Sequence, residues 1–138
     1  MWWFYALLSA LFASLTAIFA KLGITHINSN LATAIRTLII LFMTWGIVLA
    51  KGEWREIHTL SRQSLLFLTI SGISTGLSWL FYFKALQMGN VSQVAPIDKL
   101  SLALTIILSV GILGEALSWK TAIGAILIIA GTIVLIWK

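Results

Sequence analysis

The sequence predicts an all-α, polytopic membrane protein: a bundle of five transmembrane helices. Three observations lead there. Of its 138 residues, 60% are hydrophobic and only 9% charged, with a mean hydropathy of +1.05. A soluble domain of this size has too little interior to bury that much apolar side chain. Apolar stretches recur along the whole chain, each close to the about 20 residues a helix needs to cross a bilayer. Short polar connections separate them, and Trp2, Trp3, Trp54, Trp119 and Trp137 fall at their edges, where aromatic rings sit at headgroup level. Inside lipid the backbone must hydrogen-bond within its own segment, so these spans are helices and not strands.

The first span, Trp2–Ala20, carries no positive residue ahead of its apolar run, and its first lysine, Lys21, follows it. A secretory signal has the opposite order, so this segment reads as a retained membrane helix. The second span, Leu31–Ala50, follows the connection "KLGITHINSN", and the third, Ser64–Met88, follows "KGEWREIHTLSRQ". The fourth, Ser92–Leu113, begins after the tight turn "GNVS", with Asn90 or Ser92 as its N-cap; the fifth, Trp119–Trp137, is capped by Ser118. Pro96 disfavours helix at Ala95 and lacks a backbone donor. In the first turn of the fourth helix it is harmless, and that placement is the expected one; further in, it would break the helix beside Asp98.

An odd number of spans puts the two ends on opposite faces of the membrane. A second copy fused behind this one would be inverted, which is how inverted-repeat transporters are built. The chain reads as one such half, a single domain over residues 1–138. Lys51, Arg55, Arg62 and Lys120 in the loops favour a cytoplasmic amino terminus in the cell membrane. Lys21, Arg36, Lys84, Lys99 and Lys138 oppose it. The two sides nearly balance, which leaves both orientations, and an antiparallel homodimer, open.

The charges inside the spans are the candidate functional residues. Arg36, Lys84, Asp98 and Lys99 fall at similar depth in one leaflet, and Asp98 is the sole acid among them. An intramembrane charge costs roughly 2.5–3.5 kcal/mol on insertion scales, so such groups face a bundle interior and pair. For Asp98 the structural reading is an ion pair with Arg36, Lys84 or Lys99, or a carboxylate at a positive helix start. The functional reading is a proton- or substrate-linked carboxylate. Lys84 and Lys99 are expected to snorkel to the headgroups, Lys99 pointing about 100° away from Asp98 around the helix. Arg36, with its planar fork, suits a bidentate carboxylate or another anion. The positive excess in this layer suits an anionic or zwitterionic solute.

Helical phase adds two faces. Ser101, Thr105 and Ser109 follow Asp98 within one arc of the fourth helix, a polar stripe that either lines a cavity or bonds across a helix interface. On the third helix Gly72, Thr75, Gly76, Trp79, Tyr82 and Phe83 share a side. Its glycines allow close helix approach, and its aromatics could line a pocket for an organic solute. Gly124 and Gly131, seven residues apart, suggest a packing seam on the fifth helix.

Other chemistry is not expected. The chain has no cysteine, which excludes disulfides and thiolate catalysis. His26 and His58 lack metal-ligand spacing, and no nucleophile–base set is present, so neither an enzyme nor a metal or cofactor is implied. The net charge of +5 is accounted for by helix-end lysines and arginines beside headgroups, without nucleic acid.

The "YFKAL" that ends the third span, "VAPIDKLS" entering the fourth, "GE" after it and the spaced glycines of the fifth resemble the EamA domain of the drug/metabolite transporter superfamily. With "FAKLGI" and "NLATAIR" upstream, the whole chain is similar to its single-domain bacterial and archaeal branch. The resemblance implies a five-helix half-transporter that works as a homodimer and moves a small metabolite or other organic solute, typically outward, through a cavity near helices three and four. The related small multidrug resistance proteins carry a first-helix glutamate for proton-coupled cation export. Here the first span holds no acid, so that mechanism is not carried over. The competing reading is a non-transporting membrane subunit that scaffolds or regulates a partner.

Overall fold

The structure, a computed structural model, describes residues 1–137. Its helices are α1 (Trp2–Gly23), α2 (Ser29–Lys51), α3 (Arg62–Met88), α4 (Val91–Asp98), α5 (Leu100–Leu113) and α6 (Trp119–Ile136), with a 3₁₀ segment at Glu53–Thr59 between α2 and α3. No strand occurs among the described residues. With α4 and α5 counted together, five helical stretches are long and apolar enough to cross a membrane. Each expected span is present. The first three helices run past their apolar runs, to Gly23, from Ser29 to Lys51, and from Arg62. A helix need not stop where the hydrocarbon does, because its backbone bonds continue into the headgroup layer.

The ends are set by local chemistry. Asn28 caps α2, its side chain accepting from the Asn30 N–H at 2.8 Å. Gly114 ends α5 at φ 69°, a left-handed conformation that costs a side-chain-bearing residue energy. The chain then turns so that the Glu115 N–H reaches the Ser109 carbonyl at 3.2 Å. Ser118 caps α6 as expected, its Oγ accepting from the Thr121 N–H at 3.0 Å. Asn90 holds the N-cap position of α4 without a side-chain bond. Replacing Ser118 with alanine is expected to cost about 1 kcal/mol, read by reversible unfolding in mixed micelles. Ser118→Asp should restore most of it, and equal stability of all three forms would show that the Oγ bond contributes nothing.

The fourth span departs from expectation. Helix α4 starts at Val91, so Pro96 lies in its second turn and not its first. The missing N–H withholds a partner from the Ser92 carbonyl, the ring crowds the turn before it, and the helix is interrupted at Lys99. The Lys99 N–H bonds both the Ala95 carbonyl at 3.2 Å and the Pro96 carbonyl at 3.1 Å, the mixed pattern of a tightened turn.

The chain packs as two compact units: residues 19–87, and residues 1–18 with the chain from Met88 onward. In the first, Ile24, Phe83 and Leu86 are almost wholly buried together with Ser29, Ala32 and Thr33. In the second, α6 packs against both α4 and α5, and Ala17, Ala103 and Thr132 are buried. The buried residues on α2 and in the second unit are small, as contacts between membrane helices favour. Large apolar side chains such as Phe42, Phe81, Ile107 and Leu127 stay exposed, which suits lipid and would not suit water. The glycines expected as seams have no close neighbour within their own units. A methyl group built on Gly72, Gly76, Gly124 or Gly131 would meet nothing within 4 Å.

Candidate functional site: an arginine stacked on two rings and a charged helix break

In the unit of residues 19–87, α2 presents Ser29, Ala32, Thr33 and Arg36 on one face, at helical spacing. The opposing face of α3 carries Trp79, Phe83 and Leu86. The Arg36 guanidinium carbon lies 4.2 Å from the Trp79 ring centroid and 5.2 Å from that of Phe83. Trp79 and Phe83 are one helical turn apart, so both rings reach the same cation. A cation held over aromatic faces and shielded from water gains about 2 kcal/mol or more. The sequence suggested a carboxylate for Arg36; within its own unit the described residues offer it ring faces instead. Tyr82 is half-buried and packs edge-on against Phe83, with ring centroids 6.3 Å apart. Lys84 is exposed.

The same unit ties the end of α3 to the α1–α2 connection. The Lys21 ammonium donates to the Leu86 carbonyl at 2.5 Å, and the Gln87 side-chain amide donates to the Ile27 carbonyl at 3.0 Å. The last carbonyls of a helix lack partners and carry the negative end of its dipole, so a lysine there is doubly favoured. Lys21, Ile24, Thr25 and Gln87 line a small pocket of about 110 Å³ at this end. Sequence reasoning placed Lys21 at this face but missed its task, because a helix-end lysine does not reveal which carbonyl it will meet.

In the other unit, Asp98 closes α4 and pairs with Lys99, Oδ2 to Nζ at 3.3 Å. This is the ion pair with Lys99 named among the structural readings of Asp98, and it corrects the expectation that the two point apart. The turn tightens at Lys99 and the lysine stem is flexible, so the 100° of a regular helix does not separate their tips. Thr132 on α6 had not been singled out. Its Oγ1 lies 2.8 Å from the Ile128 carbonyl and 3.3 Å from the Pro96 carbonyl, so it supports the interrupted turn from a neighbouring helix. A hydroxyl alone in an apolar span was the available signal. The stripe that follows Asp98 is largely self-satisfied. Thr105 Oγ1 donates to the Ser101 carbonyl at 2.8 Å, and Ser109 Oγ to the Ile106 carbonyl at 3.0 Å, while Ser101 and Thr105 are exposed.

The site therefore consists of two arrangements, each built inside one unit: a cation on aromatic rings, and an acid–base pair at a break within a span. Ionisable groups at membrane depth and an interrupted helix beside them are features of solute pathways. Comparison with known proteins agrees. Residues 1–137 match the EamA-like transporter family. The chain is 48% identical over 134 residues, covering 97% of itself and 95% of the relative, to an "Uncharacterized transporter in cobO 3'region" from Sinorhizobium sp. No solved structure matches it. A family match over nearly the whole chain, and a relative this similar along its own length, identify a multi-pass membrane protein that belongs to the EamA-like transporter family.

Proposed function

We propose that the protein is a secondary transporter that exports a small organic solute, working as a homodimer in the cell membrane with its amino terminus cytoplasmic. The observation that carries this reading is the interruption of the fourth span at Lys99, directly after the carboxylate of Asp98. Pro96 leaves the Ser92 carbonyl without its intrahelical donor, and the turn tightens beside an ionisable side chain, features that a path for a polar solute uses. Homodimerisation accords with five spans, whose ends lie on opposite faces, and it would provide a neighbour for Gly72 and Gly76, which meet none within their own unit.

Purified protein should be stabilised against heat by its solute and, in liposomes, should exchange labelled solute for unlabelled. A broad metabolite screen with neither stabilisation nor exchange would sink the transporter reading in favour of a scaffold. Orientation can be read separately, because the chain has no cysteine of its own. Asn28→Cys should label from outside the cell and Ser61→Cys only after permeabilisation. The reverse pattern would place the amino terminus outside, and labelling of each site from both sides would indicate dual insertion.

A further inference from the structure

We propose that Arg36, held on Trp79 and Phe83, is the binding site for an oxyanion group of the transported solute, with a carboxylate as the best fit. The proposal rests on the transporter reading and narrows its substrate class. A guanidinium 4.2 Å from the Trp79 centroid and 5.2 Å from that of Phe83 spends its flat face on the rings. Its N–H groups lie in the plane of the fork, and ring faces do not satisfy them. Among the described residues of its unit, no side chain or carbonyl accepts a hydrogen bond from Arg36, and its nitrogens are not sealed from their surroundings. The hydroxyls of Thr33 and Thr37 are turned elsewhere: Thr33 donates to the Ser29 carbonyl at 2.9 Å and Thr37 to the Thr33 carbonyl at 2.8 Å. The result is a cation at membrane depth, fixed in place, with its donors open. Two parallel N–H groups match the two oxygens of a carboxylate.

A lipid phosphate carries the same oxyanion chemistry and must be distinguished. Arg36 lies roughly 10 Å along α2 from its start, within reach of the headgroups. Counted back from the end of α3 on the same side, Phe83 is roughly 8 Å deep and Trp79 roughly 13 Å. The guanidinium sits closer to Trp79, the deeper ring. A snorkelling arginine would favour the shallower one. The position thus points toward the interior of the span and toward a solute.

The test uses the full-length protein, with thermal stability read in a neutral maltoside detergent and counterflow read in liposomes. The probes are acetate, benzoate and alanine, each set against its amide. At least one carboxylate should stabilise the wild type while its amide does not. Arg36→Lys, which keeps the charge and loses the fork, should weaken that binding on the order of tenfold or more. Equal effects of acid and amide, no effect of any acid, or unchanged affinity in Arg36→Lys would each overturn the proposal. So would phosphatidylglycerol that stabilises the wild type but not Arg36→Gln and displaces the bound acid, since the site would then be a lipid site. The acid–amide comparison needs no variant and survives poor folding of either one. Counterflow of an uncharged solute that is indifferent to Arg36→Gln would leave the transporter reading standing and this proposal refuted. Carboxylate binding without any counterflow would do the reverse.

Discussion

Trp79→Ala is expected to destabilise the protein by about 2–3 kcal/mol, and most of that loss should vanish once Arg36 is removed as well. The ring lies 4.2 Å from the guanidinium. Its deletion forfeits a cation–π contact of about 2 kcal/mol in a shielded setting and returns Arg36 toward the roughly 2.5–3.5 kcal/mol cost of an unpartnered charge in a bilayer. Lost packing adds little, because lipid tails can replace a half-exposed ring as apolar neighbours. Trp79→Phe keeps a ring face and should lose about 1 kcal/mol. In an Arg36→Leu background, Trp79→Ala should cost under about 1 kcal/mol, a coupling of about 1–2 kcal/mol in a double-mutant cycle. Reversible unfolding in mixed micelles measures all four corners. Additive losses would mean that the stack is proximity without energy.

Asp98→Asn is expected to lower solute flux driven by a proton gradient in liposomes by more than tenfold while leaving stability within about 1 kcal/mol. The expectation follows from where the pair sits. The Asp98 and Lys99 side chains are 34% and 52% exposed, so their attraction is screened and worth little to folding. Asparagine retains the shape and loses the proton site. If the pair is structural only, the pattern inverts: flux persists and the thermal midpoint falls. Unchanged flux removes Asp98 from the coupling mechanism whatever happens to stability.

Both predictions concern side chains that the sequence had already marked as costly in a bilayer, and the structure changed what each of them does. Arg36 was legible as a residue needing a partner. That the partner is Trp79 was not, because depth can be counted along each helix but rotation and adjacency cannot. Asp98 and Lys99 looked divergent under ideal helical phase. The placement of Pro96 in the second turn changed that phase locally, and it depended on the helix starting at Val91. Thr132 drew no notice because a lone threonine can bond back to its own helix, which it also does at the Ile128 carbonyl.

The number of spans, their helical character and their approximate limits were determined by the sequence alone. In a bilayer each helix must close its own backbone hydrogen bonds, so length and hydropathy suffice and no neighbour need be known. The cap at Ser118 is equally local. The partners of the polar groups were decided only by the tertiary structure: Arg36 on its rings, Lys21 on the end of α3, and Thr132 on the Pro96 carbonyl. Apolar surface is interchangeable against lipid, so hydropathy does not say which faces meet. Directional groups are satisfied only by particular neighbours, and those neighbours exist once the helices have packed.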